Sequence, residues 1–209
     1  MALKPIYDIS RIKRIIVSTY QAVSGAGKDG IDELLDEAAA IAKGETYEPK
    51  ILPSASLPKH YQIAYNVIPQ IDVFLDNEYT KEEMKMVNET HKIFHDDTIA
   101  ITPTAVRVPV IRSHAESIYI ETEDHVTTDE VKKAIENFKG AVLVDDIKNM
   151  IYPMPLDTSN KTDVAVGRIR KDLYSENGIN LWACGDQIRK GAALNALQIA
   201  EYMIAHDMI

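Results

Sequence analysis

The chain has 209 residues, 26% of them charged, and a net charge of −9 that is spread without long acidic blocks. That length suits one sizeable domain able to bury about 70% of its unfolded surface, and the acidic balance argues against nucleic-acid binding and demands local cations for any anionic ligand. One cysteine, Cys184, excludes an intrachain disulfide framework; six scattered histidines give no zinc-ligand spacing; and the absence of a signal-peptide series or a membrane-length apolar run makes a cytosolic protein the default.

In chain order, "RIIVSTYQAV" predicts a strand over 14–22, ending near Gln21, from which an amide could reach into a cleft. Gly25, Gly27 and Gly30 follow at the G-x-G-x-x-G spacing of a dinucleotide-binding loop, and a helix over 28–43 comes next. A dinucleotide fold then needs a second strand ending in an acid about 20 residues on. Here Glu45 and Glu48 sit among Gly44, Pro49, Pro53 and Pro58, which read as a long loop. A phosphate-binding P-loop fails too, because Lys28 is followed by Asp29 where Ser or Thr should hold magnesium. The glycines are therefore expected to form a turn from strand to helix.

Further helices are predicted over 80–95, 127–138 and 187–206. Thr80 with Glu83 and Thr127 with Glu130 have capping-box spacing, and Gly44 and Gly140 stand where helix ends favour glycine. Further strands are predicted over 61–67, 105–111, 116–122, 141–146, 164–172 and 178–184. Segments such as "SIYIETE" alternate apolar with polar residues, so one sheet face is buried and the other polar. The expected class is α+β, with a mixed, largely antiparallel sheet backed by helices. No linker, repeat or low-complexity tract marks a domain boundary, so residues 1–209 read as one domain.

The sharpest chemical cluster is "AVRVPVIRSHAES", where Arg107 and Arg112 precede His114. Arginine clamps carboxylate or phosphate and histidine moves protons near neutral pH, which suits an anionic substrate; an exposed edge with ordinary surface charges is the alternative. Glu82 and Lys85, at i and i+3, read as a helix-surface ion pair. His91 and His95 have ligand spacing but no third ligand, and Cys184 reads as a buried small hydrophobe.

Together "RIIVSTYQAVSGAG", "NVIPQIDVFLDNEYTKEEMKMVNET", "AVRVPVIRSHAES", "VGRIRKDL" and "GDQIRKGAALNALQIAE" resemble, in order across nearly the whole chain, the carboxyl-terminal catalytic and dimerisation domain of the aspartate-β-semialdehyde dehydrogenase family. The resemblance implies the C-terminal fold of the glyceraldehyde-3-phosphate dehydrogenase-like group. It also implies reduction of L-aspartyl-4-phosphate with NADPH to L-aspartate-4-semialdehyde, on the route to lysine, threonine and methionine, through a thioester on a cysteine.

In that family the cofactor loop and the cysteine, in an "NCST" motif, precede a segment like "ALKPIYD", with which this chain begins. The implied protein is therefore one truncated from a two-domain enzyme, inactive alone, homodimeric, and with no NADP expected on the fragment itself. The implied roles are acid–base chemistry for His114, acyl orientation for Gln21, the substrate carboxylate for Arg107, its ammonium for Glu82, the phosphate side for Lys85, and the nicotinamide for Gln187. With one wall of the cleft missing, Glu82, Lys85, Arg107 and His114 are expected to be more hydrated than in a closed site and the histidine pKa less specialised. A free-standing binding or assembly module of the same fold is the rival.

Overall fold

The computed structural model describes residues 1–208. Its centre is a mixed six-stranded sheet in the order β2-β1-β3-β6-β5-β4. β1 (Ile12–Gln21) runs parallel to β2 (Ala100–Arg107) on one side and antiparallel to β3 (His114–Thr122) on the other. β3 pairs with β6 (Gly178–Gly185), β6 with β5 (Val164–Lys171), and β5 runs parallel to the short β4 (Ala141–Leu143). This order brings the last residues of β1, β2 and β6 and the first of β3 to one end of the sheet. Gln21 lies opposite Arg107, and His114 lies opposite Gly185.

Alternation along the strands decides the faces. In β1, Ile15, Val17, Thr19 and Gln21 are buried while Ile16 and Tyr20 are exposed. The buried side joins Ile118 and Ile120 of β3 and Ile179 and Leu181 of β6 in one core. Three helices close it: α1 (Lys4–Tyr7) through Ile6, α3 (Lys81–Phe94) through Met86 and Phe94, and α4 (Thr128–Glu136) through Val131 and Ile135. Each fully buried aliphatic side chain contributes roughly 1.5–3 kcal/mol of transfer free energy. Both α3 and α4 start in complete capping boxes, on Thr80 with Glu83 and on Thr127 with Glu130. Among the described residues the other sheet face has no helical cover of this kind; there Tyr20 and Trp182 pack at 5.3 Å, and exposed Met154 lines a hollow with Trp182.

A short 3-10 turn, Val23–Ala26, leads from β1 into α2 (Gly27–Ala42). α2 packs against the long connection that follows, through Leu34 with Val23, Leu52, Ile63 and Ala64. Two acids of α2 hold that connection. Glu33 accepts backbone N–H bonds from Lys50, Ile51 and Leu52, and Glu37 accepts them from Ile63 and Ala64.

Several expected boundaries move. The strand expected over 61–67 does not form, because the N–H groups of Ile63 and Ala64 are spent on Glu37; a single bridge between Ile68 and Arg107 remains. The strand expected over 105–111 is β2, ending at Arg107, so Pro109 and Arg112 lie in the loop to β3. Pro103 is tolerated inside β2 because that strand is the sheet edge. β4 ends at Leu143, short of the expected 146. The helix expected over 187–206 is interrupted: Lys190, Gly191 and Ala192 have non-helical dihedrals, Gly191 with φ of 108°, and the regular helix α6 spans Leu194–Ala205. A further short helix, α5, covers Pro155–Thr158. Among the described residues no helix is long and apolar enough to cross a membrane.

Candidate active site

Arg107, Gln21 and His114 close the strand ends described above, and α3 brings Glu82 and Lys85 over them. The capping glutamate explains the placement: one carboxylate oxygen of Glu83 takes the Thr80 N–H, and the other takes the Ala105 N–H on the free edge of β2. The first turn of α3 is thereby tied two residues from Arg107. Glu82 then accepts from Gln21 Nε2 at 3.3 Å and from Lys85 Nζ at 3.0 Å, so the pair read as a surface ion pair also reaches β1. The turn after β1 links the rest. The Ala22 carbonyl accepts from Arg107 Nη1 at 2.8 Å, and the Ala22 N–H donates to His114 Nδ1 at 3.0 Å. Gln187, just after β6, donates from Nε2 to Ser24 Oγ at 2.7 Å, and its Oε1 is buried with no partner among the described residues.

The space between these groups is narrow and kept open by glycine. A Cβ on Gly25 would lie 2.8 Å from Arg107 Nη1 and 3.6 Å from His114 Nε2, so a side chain there would occupy the volume that both groups face. The role of Gly25 is thus close approach, where sequence spacing first invites a cofactor loop. Among the described residues no parallel strand ending in an acid follows α2; the strand that returns beside β1 is β2, and it ends in Arg107.

Arg107 is 3% exposed. Of the five N–H donors a guanidinium carries, three are bound to carbonyls: Nη1 to Ala22, and Nε and Nη2 to Pro53 at 3.4 and 3.2 Å. Among the described residues no carboxylate stands within ion-pairing distance. Burial pulls its pKa down to about 10, opposed by Glu82, so it is a full cation at neutral pH with donors to spare. Burial, followed by the charge of Arg107, lowers the His114 pKa to about 3 against a weaker opposing pull from Asp186. The expected hydration is therefore corrected for Arg107 and the ordinary histidine for His114, while Glu82 and Lys85 stay partly exposed. The covering wall comes from the chain itself, through the 22–25 turn and Pro53.

Other candidates stand apart. Arg112 turns away to Asp186, bonding it at 2.7 Å; that buried acid also accepts the N–H groups of Asn160 and Ile188. Cys184 is buried on the sheet face opposite the cluster, by strand alternation from Ala183, and burial pushes its thiol up to about 12. His91 Nε2 bonds to the Ile99 carbonyl, and no group of metal-ligating residues occurs among the described residues. Sequence reasoning missed Ala22 and Pro53, which act through backbone groups, and Asp186, which the last quoted motif contains but which was not singled out. The signal for Ala22 and Asp186 was their proximity to Gln21 and Gln187; Pro53 had none.

The family model described as "semialdehyde dehydrogenase, dimerisation domain" matches residues 3–190. An aspartate-semialdehyde dehydrogenase of Bacillus subtilis is 50% identical over 201 residues, covering 96% of this chain and 58% of its own length. The structure of aspartate semialdehyde dehydrogenase II of Vibrio cholerae complexed with ASA superposes with a TM-score of 0.90 at 48% identity, over 98% of this chain and 58% of that one. An aspartate semialdehyde dehydrogenase of Candida albicans solved with NADP shares the fold at a TM-score of 0.69 and 22% identity, over 100% of this chain and 55% of that one. The chain thus spans a little under three-fifths of the length of these relatives.

Proposed function

Because the chain belongs to the semialdehyde dehydrogenase dimerisation-domain family, we propose that it is the substrate-binding and dimerisation domain of an enzyme reducing L-aspartyl-4-phosphate to L-aspartate-4-semialdehyde. The observation that carries this is Arg107, a buried cation satisfied only by carbonyls, placed in one row with Gln21 and His114 and beneath Glu82. A zwitterionic aminoacyl substrate needs that combination. Its α-carboxylate takes the spare Arg107 donors, its ammonium meets Glu82, and Lys85 stands ready on the phosphate side. Gln21 orients the acyl group, and His114 stands at the reacting carbon.

NADPH would supply the hydride. The open Oε1 of Gln187 fits it, because a buried amide oxygen without a partner can accept from a carboxamide. Cys184 is too buried and too weakly acidic to serve as the thioester nucleophile, so that cysteine comes from outside these 209 residues and the chain alone is inactive. A homodimer through the uncovered sheet face, around Ile16, Tyr20 and Met154, follows from the family and from that exposed apolar area.

The test is NADPH-dependent reduction of aspartyl-4-phosphate by the chain combined with the nucleotide-binding and cysteine-bearing part of a relative. Turnover is expected, lowered by about 100- to 10,000-fold in His114→Ala. A folded complex that shows none contradicts the reading.

A further inference from the structure

We propose that the hollow between the β4–β5 edge of the sheet and residues 150–163 is a second ligand site, one that takes a small apolar α-amino acid and bears on the start of β3 through Thr158. The hollow holds about 760 Å³, within the range of small-molecule sites. Val142, Val144, Ile151 and Ala165 give it an apolar lining. Asp157, Lys161 and Asp163 line it as well, and none of these three takes part in an ion pair among the described residues. An apolar body with an ammonium and a carboxylate at one end matches that lining. The ammonium meets the two acids and the carboxylate meets Lys161, whereas a plain amine would leave Lys161 without a partner. Met154 at the border belongs to the proposed subunit contact, but Val142 lies on β4, the last strand of the sheet.

The wall of this hollow also braces the segment that leads into β3. Thr158, 3% exposed, shares a 2.5 Å hydroxyl hydrogen bond with the fully buried Ser113. Ser159 donates from Oγ to the Arg112 carbonyl, and the Asn160 N–H donates to Asp186. Three successive residues thus hold the positions just before His114 and just before Gln187.

Ser113 needs such a hold. Its φ is 75°, in the left-handed region that a residue with a Cβ disfavours, and a backbone of this kind persists only where its surroundings impose it. Two arrangements are therefore available: Ser113 held by Thr158, or released and relaxed. A ligand that moves Thr158 biases that choice, and with it the placement of the next residue, His114.

The experiment is a titration of the ¹⁵N-labelled chain with norleucine, followed by proton–nitrogen correlation NMR. Pentylamine and hexanoate serve as probes that lack the carboxylate and the ammonium. Norleucine should give saturable shifts at the amides of Val142, Val144 and Ala165, and the two reduced probes should each bind at least about tenfold more weakly. The Ser113 and His114 amides should shift with the same midpoint. In Thr158→Val the shifts around Val142 should remain while the His114 response is lost; should that variant not fold, Ser113→Gly, suited to a φ of 75°, takes its place. No saturable shift at the hollow, a reduced probe binding as tightly as norleucine, or an unchanged His114 response in the variant would overturn the proposal. So would loss of norleucine binding in Arg107→Met, which would put the amino acid in the substrate site. None of these outcomes depends on turnover, so the proposed reaction and this second site can fail separately.

Discussion

Glu33 and Arg107 are both charged side chains, 2% and 3% exposed, but their surroundings differ in kind. Glu33 ties its carboxylate to three consecutive N–H groups, at 2.6 Å from Lys50, 2.9 Å from Ile51 and 2.8 Å from Leu52. Its hydrogen-bonding capacity is used up inside the fold. Arg107 meets carbonyls alone and keeps donors free beside His114, with Gly25 leaving the space open. A buried charge that the chain satisfies fixes the fold, whereas one that it leaves partly unsatisfied marks where a ligand completes the structure.

That contrast is sharpened most by Glu33→Ala. One buried N–H group, that of Leu52, and two part-buried ones lose their acceptor; the buried one costs about 1–3 kcal/mol and the others less, so urea unfolding should show a loss of about 2–4 kcal/mol. A loss near zero would mean that the connection needs no such anchor. Gly25→Ala is a smaller change with the opposite signature. Its Cβ crowds Arg107 Nη1 at 2.8 Å in an otherwise ordinary backbone, so calorimetry should show aspartate semialdehyde binding weakened by about tenfold, or 1.4 kcal/mol, while the melting temperature holds.

The smallest effect concerns pH. Burial raises the Glu37 pKa above its usual value, so its stabilising contribution is complete below the unfolded value of about 4.3 and is lost as pH rises through the folded one. Thermal melts of wild type should therefore lose stability over that interval relative to Glu37→Gln, whose neutral amide cannot ionise. Parallel curves for the two proteins would break this part of the comparison.

The same contrast explains what the sequence disclosed. Capping boxes at Thr80 and Thr127 and the alternation in β1, β3 and β6 are local signals, and they placed helices and strands within a few residues. The candidate residues were readable because arginine, glutamate and histidine in the quoted motifs carry recognisable chemistry. The connection after α2 was not readable. "YQIAYNV" alternates like a strand, yet its N–H groups pair with Glu37, a partner more than 20 positions away. For the same reason the sequence could not show that Pro53 and Ala22 would cover Arg107, or that His114 would be desolvated: both contacts use backbone atoms, which every residue carries. The break before α6 was missed because Gly191 and its neighbours sit in a stretch whose composition is otherwise helical.

The most direct measurement is urea unfolding of wild type and Arg107→Met, each with and without saturating aspartate semialdehyde. Without ligand, Arg107→Met should lose less stability than Glu33→Ala, because a buried cation without a carboxylate partner is removed and only the Pro53 carbonyl is left without a donor, the Ala22 carbonyl keeping the Gly25 N–H. With ligand, wild type should gain stability, by about 2.7 kcal/mol at a hundredfold excess over the dissociation constant, and the variant should gain none. If Arg107→Met instead loses as much stability as Glu33→Ala, or is stabilised by the ligand as strongly as wild type, then Arg107 belongs to the scaffold and the substrate site lies elsewhere.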